Sequence, residues 1–362
     1  MGNAPEPAAA ASAAPTPPSP SPAAGTGRRR ILLVLGVLLV LAVAASAAVF
    51  VLTRPRTVGP APAGATPPAA GPAAAPSTAP TSTPEPPAVA LNILLIGSDS
   101  RVNARAAAAA GSASDQRGDA LVLIHLPADR QSIYGISIMR DLWVDIPGHG
   151  EAKINSALAL GGLPLMTQTV EALLGTHIDH TVMLDFQGFA AMTDALGGVD
   201  VDIKQSFTGT VDDKVHFPAG VNRLNGLEAL AFVRERHAFP DGDYQRVRNQ
   251  QTFLKAVMAK MASDGGLADR DTVRKLVTTV LPHVTLDASF TPASLEDLAF
   301  SLHNTVPGHG VFFTLPTAGT GTSRDGQSIV LQDRAGTAAL SAALGSGTLA
   351  GYVAANNLQN GN

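Results

Sequence analysis

Arginines and aspartates recur as close neighbours along this chain: Asp99 and Arg101 in IGSDSR, Arg117 and Asp119 in RGDALVLIHL, Arg140 and Asp141 in ISIMRDLWVDI. Lys153 and Asn155 follow in KINSAL, Arg234 and Arg236 in FVRER, and Asp243, Arg246, Arg248 and Gln250 in DGDYQRVRNQQ. Planar guanidinium forks that converge on one pocket suit a phosphate or pyrophosphate, which they can grip with paired hydrogen bonds. Two carboxylates, Asp99 and Asp119, suit Mg2+, which takes one or two carboxylates plus phosphate oxygens and keeps several waters. Mn2+ is the alternative ion for such an oxygen set. Neighbouring Arg and Asp also form plain surface ion pairs worth ~0–1 kcal/mol each, and spacing alone leaves both outcomes open.

Little else in the chain competes for chemistry. The absence of Cys excludes disulfides, thiolate zinc sites, iron–sulfur clusters and a Cys nucleophile together. No GxxxxGK[ST] loop, GxSxG elbow or HExxH helix is present. His177 and His180 lie three apart without a further ligand at zinc spacing, so they read as ordinary exposed histidines. Ser98 has no base nearby in sequence, which leaves a serine nucleophile unsupported.

The elements that must position these groups follow from periodicity. A long helix from Asp243 to about Met261 puts Asp243, Arg246 and Gln250 on one side, beside an apolar stripe of Val247, Leu254, Met258 and Met261. Arg234 and Arg236 project to a common side if the chain is extended where it leaves its helix. The remaining candidates fall at the ends of strands read over Ile93 to Ile96, Ala120 to Leu126 and Ile133 to Ile138. Thr181 to Leu184 and Val199 to Ile203 are further strands. Pro164 to Leu174, Phe186 to Leu196 and Asn225 to Val233 read as helices, with Asn225 an N-cap and Gly197 and Gly198 a stop. Past residue 265 the pattern weakens to a helix around Leu295 to Leu302, a strand at Val311 to Leu315 and a helix near Ala335 to Leu344. Alternating strands and helices predict a three-layer α-β-α domain, whose loop edges are where ligands bind.

Of the 27 Pro in 362 residues, 18 precede residue 90, so the folded part begins there. Residues 31–53 form an unbroken apolar run of 23, long enough to span a bilayer as a helix. Arg28, Arg29 and Arg30 before it keep the tail (1–30) cytoplasmic and send the rest outside. A cleaved signal peptide is the competing outcome, given the small residues Ala44 to Ala48. Residues 54–89, rich in Pro and Ala, read as an extracytoplasmic linker, 90–345 as the folded domain and 346–362 as a C-terminal tail. From residue 90 on there are 20 basic and 27 acidic side chains, a balance that argues against a nucleic-acid partner.

Six blocks resemble, in order, the LytR-CpsA-Psr family of bacterial envelope phosphotransferases: NILLIGSDSR, RGDALVLIHL, ISIMRDLWVDIPGHGEAKINSALALGG, LLGTHIDHTVMLDFQGFAAMTDALGGVDVDI, LNGLEALAFVRER and DGDYQRVRNQQ. The resemblance implies an α/β LCP-type domain behind a single N-terminal transmembrane helix. It implies Mg2+-dependent transfer of a phosphate-linked glycopolymer, of teichoic acid, capsular or arabinogalactan type, from a polyprenyl pyrophosphate carrier to peptidoglycan. A scaffold or a pyrophosphatase using the same arginines is the alternative. Carried over, Asp99 and Asp119 hold the metal; Arg117, Arg140, Arg234, Arg236, Arg246 and Gln250 surround the phosphates; Arg101, Asp141, Lys153, Asn155 and Asp243 support them. The last block departs from the family's RxxRQ pattern: Asn249 stands at the second position and Arg248 one residue earlier, about 100° away on a helix. The resemblance also implies a prenyl tunnel between the sheet and the helices.

Overall fold

The computed structural model describes residues 1–2, 89–99, 102–113, 116–210, 214–263, 281–291 and 310–361, with single positions at 274, 277, 278, 294 and 298. The candidate membrane helix, all of the linker but Val89, Arg101, and all but Leu298 of the helix read over Leu295 to Leu302 therefore lie outside the described residues.

In chain order the elements are β1 (Leu91–Ser98), α1 (Val102–Ala109), β2 (Gly118–Leu126), β3 (Ile133–Ile138), β4 (Trp143–Ile146), β5 (Gly150–Lys153), α2 (Ser156–Leu174), β6 (His180–Asp185), α3 (Phe186–Ala195) and β7 (Val199–Ile203). They continue with β8 (Phe207–Thr208), β9 (His216–Phe217), β10 (Gly220–Leu224), α4 (Gly226–Arg234), α5 (Asp243–Ser263), β11 (Val284–Leu286), β12 (Gly310–Thr314), β13 (Thr317–Thr322), β14 (Ser328–Gln332), α6 (Arg334–Gly345) and α7 (Leu349–Ala355).

Every residue of β3 is buried, the signature of a strand covered on both faces. It lies in a mixed six-stranded sheet ordered β11-β6-β1-β2-β3-β12, with β1 antiparallel to β2 and parallel to β6. Successive side chains of β1 point to opposite faces and so enter two cores. Ile93 and Leu95 pack with Met192 of α3, Phe232 of α4 and Phe253 of α5. Leu94 and Ile96 pack with Met166 and Val170 of α2 and with Leu340 and Val353 of α6 and α7. The result is the helix–sheet–helix layering expected from the sequence. Each fully buried aliphatic side chain contributes roughly 1.5–3 kcal/mol.

Several boundaries have local causes. Asn225 caps α4 by accepting from Leu227 N–H and Glu228 N–H, each at 3.0 Å, while Glu228 Oε2 accepts from Asn225 N–H at 2.9 Å. Such a capping box is worth about 1 kcal/mol. Asp185 ends β6 and caps α3, accepting from Gly188 N–H at 2.6 Å. The helix expected from Pro164 lies in α2, which is kinked at Gly161 and Gly162. Gly162 has φ +63° and a Cβ there would come within 2.3 Å of Ala108 O, so only glycine lets α1 approach. Among the described residues α2 alone is long and apolar enough to cross a membrane, yet eight of its residues are buried within the domain.

Three expectations need correction. Residues 346–362, read as a C-terminal tail, form α7 and bury Leu349, Val353 and Leu358 in the α2-side core. His180 is not a surface histidine, since its ring stacks on Phe290 at 3.8 Å. The stripe on α5 divides, with Val247 in the α2-side core while Leu254 and Met258 face the other.

Candidate active site

Position 119 owes its orientation to an irregularity in the sheet. The β1–β2 register pairs Gly97 with Ala120 and Ser98 with Gly118, leaving Asp119 as the extra residue of a bulge. Bulges re-aim side chains next to functional sites, and here Asp119 lines a cavity of about 280 Å³ at the ends of β1 and β2. Arg140, in the turn after β3, reaches it from the side: its Nη1 donates to Asp119 Oδ1 at 2.6 Å. That turn is closed by Asn155 N–H on Arg140 O at 3.2 Å and Ile154 N–H on Leu142 O at 2.8 Å, which is how KINSAL contributes.

The other cations arrive from the helices. Arg234 ends α4 with its guanidinium over the Phe186 ring, 4.5 Å from the centroid. The chain then turns extended at Glu235, with ψ 132°, so that Arg234 and Arg236 both face the cavity. Arg246 and Gln250 line it from α5. Asp243, one turn earlier, stands between three arginines: Arg246 Nη1 at 3.2 Å, Arg236 Nη1 at 3.5 Å and Arg140 Nε at 3.6 Å. Asp141 stands 3.6 Å from Arg140 and 3.2 Å from Lys153.

Electrostatics follow from this packing. Burial pushes the Asp243 carboxyl up, but the Arg246 and Arg140 guanidiniums, a hydrogen bond with Asp141 and Arg236 outweigh it and hold it below the usual carboxylate range. Burial disfavours the charged Arg140, and the Asp119 hydrogen bond with the Asp243 and Asp141 charges more than restores it. Four arginines and Lys153 thus face three aspartates, Asp119, Asp141 and Asp243, and the site keeps a surplus of positive charge. Arg140 Nε, Arg246 Nε and Asp243 Oδ1 are buried with no hydrogen-bond partner. Unsatisfied buried donors in a charged pocket call for a ligand or water.

Much of the remaining lining is apolar, formed by Leu184, Phe186, Phe189, Leu230, Val233, Phe253 and Leu254. Single-residue spacing carried no signal for it, because each of these also reads as ordinary core. His237, likewise overlooked, lines the cavity and accepts at Nε2 from Arg236 Nε at 3.1 Å.

Of the residues singled out from sequence, the cavity gathers Asp119, Arg140, Arg234, Arg236, Arg246 and Gln250, with Asp141, Asp243, Lys153 and Asn155 behind them. Asp99 and Arg117 are exposed at the adjacent strand ends and do not line it. Arg248 turns away, to Asp241 and to Gln245 Oε1 at 2.7 Å, as the one-residue shift in its motif anticipates. Asn249 instead ties α5 to α4 by donating to Phe232 O at 3.1 Å. Among the described residues no three His, Asp or Glu side chains cluster as a metal cage.

Fold and site together define an α/β domain with one cavity lined by arginines and by apolar side chains. The chain belongs to the LytR_cpsA_psr family, whose model matches residues 75–342. It is 29% identical over 283 residues to the cell wall biosynthesis protein LcpA of Corynebacterium glutamicum, covering 67% of this chain and 53% of LcpA. It is 35% identical over 202 residues to the polyisoprenyl-teichoic acid–peptidoglycan teichoic acid transferase TagU of Bacillus cereus, covering 55% of this chain and 62% of TagU. The chain thus spans between half and two thirds of these curated relatives. Among solved structures, TagT bound to LI-WTA superposes with a TM-score of 0.55 at 25% identity, covering 74% of this chain and 93% of TagT. TagV of B. subtilis shares the fold, with a TM-score of 0.58 at 24% identity over 72% of this chain and 98% of TagV.

Proposed function

We propose that this protein transfers a phosphate-linked glycopolymer from a polyprenyl pyrophosphate carrier to a hydroxyl of peptidoglycan, on the outer side of a membrane to which residues 31–53 anchor it. The observation that carries this is one cavity lined by four arginines together with Phe186, Phe189 and Phe253. A prenyl pyrophosphate combines the same two chemistries, a charged head and an apolar chain. The names of TagU and of TagT bound to LI-WTA support a teichoic acid-like donor; capsular and arabinogalactan-type polymers present the same linkage.

In the transfer, the acceptor hydroxyl oxygen bonds to the phosphorus nearest the glycan, the bridging P–O bond breaks, and polyprenyl monophosphate leaves. The hydroxyl proton passes to a base that this proposal leaves unassigned. Catalysis here is positioning and charge neutralisation. Arg140, Arg234, Arg236 and Arg246 hold the phosphates with Gln250, Asp243 and Asp141 fix the arginines, and Arg117 meets the donor from the strand end. Asp99 and Asp119 are the ligands we assign to Mg2+. Two carboxylates at neighbouring strand ends, with no cluster of three acid or His ligands among the described residues, suit an ion that completes its shell with phosphate and water. When bound, the ion neutralises phosphate oxygens.

The test is transfer by the full chain from a synthetic polyprenyl-pyrophosphate-linked glycan to nascent peptidoglycan, with and without Mg2+, for wild type and Arg140→Ala. Attached product over many turnovers, dependent on the ion and lost in the variant, is the expected result. Stoichiometric binding without transfer makes the protein a scaffold; free phosphate-terminated glycan formed without acceptor makes it a pyrophosphatase.

A further inference from the structure

Glu235 sits between two cavity arginines in FVRER, yet its own side chain points the other way: Arg234, Arg236 and His237 line the cavity and Glu235 does not. The residue is 0% exposed. A buried carboxylate without compensation costs several kcal/mol, and here five hydrogen bonds compensate it. Oε1 accepts from Arg236 N–H at 2.8 Å, His237 N–H at 2.7 Å, Ala238 N–H at 3.0 Å and Thr210 Oγ1 at 2.9 Å. Oε2 accepts from Thr210 N–H.

Three consecutive backbone amides donating to one oxygen fix the φ and ψ of the very segment that aims Arg236 and His237. Thr210, 25 residues earlier in the chain, is bound to the same carboxylate. Burial alone would raise this carboxyl; the amide and hydroxyl donors of Thr210, Ala238 and His237 reverse that and keep it ionised. A side chain that merely filled space here would need no charge and would leave three amides without an acceptor.

We infer that Glu235 is a positioning residue for phosphate binding: through its backbone hydrogen bonds it sets Arg236 in the anion-binding geometry and docks the Thr210 segment beside the site. This rests on the phosphate-binding role proposed above for the arginines. Because the effect runs through Arg236, the two residues must be coupled, and coupling is what a purely structural role lacks.

The experiment is a double-mutant cycle in the full chain, with inorganic pyrophosphate as the probe, titrated calorimetrically against wild type, Glu235→Gln, Arg236→Ala and the double variant. Glutamine keeps the size but presents an N–H group to Thr210 N–H or to the three amides. We expect each single variant to weaken binding about tenfold and the double variant about tenfold as well, not a hundredfold. If Glu235→Gln fails to fold, Thr210→Val, which deletes one hydroxyl donor, decides: about two- to threefold weaker binding is expected, and that loss disappears in the Arg236→Ala background. Unchanged affinity in a folded Glu235→Gln or Thr210→Val, or losses that add to those of Arg236→Ala, overturns the assignment of Glu235 alone. A wild type that takes up no pyrophosphate overturns the phosphate site and this inference with it.

Discussion

Replacing Asp243 by Asn removes one negative charge from among three guanidiniums, and its consequences can be worked out from the distances. The contacts are 3.2 Å to Arg246, 3.5 Å to Arg236 and 3.6 Å to Arg140. At an effective dielectric of 20, a pair near 4 Å attracts by about 4 kcal/mol before desolvation is counted. Arg236, with 37% of its side chain exposed, is well hydrated and adds little. Arg246, 6% exposed, bears the loss. Breaking a buried pair costs about 3–5 kcal/mol; with one wall opening on a cavity that water can enter, about 2–3 kcal/mol is the expected penalty here. In a domain of this size that lowers Tm by roughly 5–10 °C. Asparagine keeps an oxygen that can accept from the same guanidiniums and so keeps them placed, while the lost charge leaves more positive charge facing the cavity. Pyrophosphate is therefore expected to bind more tightly, by about tenfold or 1.4 kcal/mol. Differential scanning fluorimetry with and without pyrophosphate reads both effects. The variant should start lower and gain more on adding the anion than wild type does. An equal or smaller gain refutes the view that Asp243 balances charge a phosphate would otherwise meet.

Phe189→Ala, which trims the apolar wall, should weaken binding of a polyprenyl pyrophosphate about tenfold and leave inorganic pyrophosphate unaffected, as measured by competition with a labelled donor. Arg248→Ala should not change pyrophosphate affinity, because its side chain is held by Asp241 and Gln245 away from the cavity. Asp287 accepts from Thr181 N–H at 2.7 Å and Ser289 N–H at 2.8 Å; burial raises its carboxyl, but the hydrogen bonds from His180, Ser289 and Thr181 leave it strongly lowered. A carboxyl lowered on folding stabilises above its unfolded value, near 3.9, and loses that contribution as pH falls through the lowered one. Asp287→Asn should therefore cost about 1–3 kcal/mol in urea unfolding at pH 7, with the gap to wild type closing below about pH 4.

How far the sequence speaks for itself differs by element. Ile133–Ile138 was legible to the residue because a short run rich in isoleucine, with Tyr134, reads as a buried strand. Asn225 was legible as a cap because the chemistry is local; its partner Glu228 emerged only from the structure. The arginines were legible as a set only through the order of the motifs that hold them, since spacing alone left plain surface ion pairs open, and Arg117 of that set does not line the cavity. By contrast, the hairpin of β4 and β5 around Gly148 and the ribbon of β7 with β10 depend on pairings that no single run announces. The bulge at Asp119 depends on the register of β1 against β2. Phe186, Phe189, Leu230 and Phe253 form one wall only after three helices pack on the sheet. Nothing in FVRER sets Glu235 apart from its neighbours, and only its burial and its five donors point to its role.

The central claim is that phosphorus moves with the glycan. A donor carrying a radioactive label in the phosphate nearest the glycan, incubated with the full chain, Mg2+ and peptidoglycan, tests it most directly. We expect the label in the peptidoglycan fraction, rising over many turnovers, with unlabelled polyprenyl monophosphate released in equal amount. Label that stays on the carrier, or that ends in free phosphate-terminated glycan while peptidoglycan remains unlabelled, contradicts the transferase we propose.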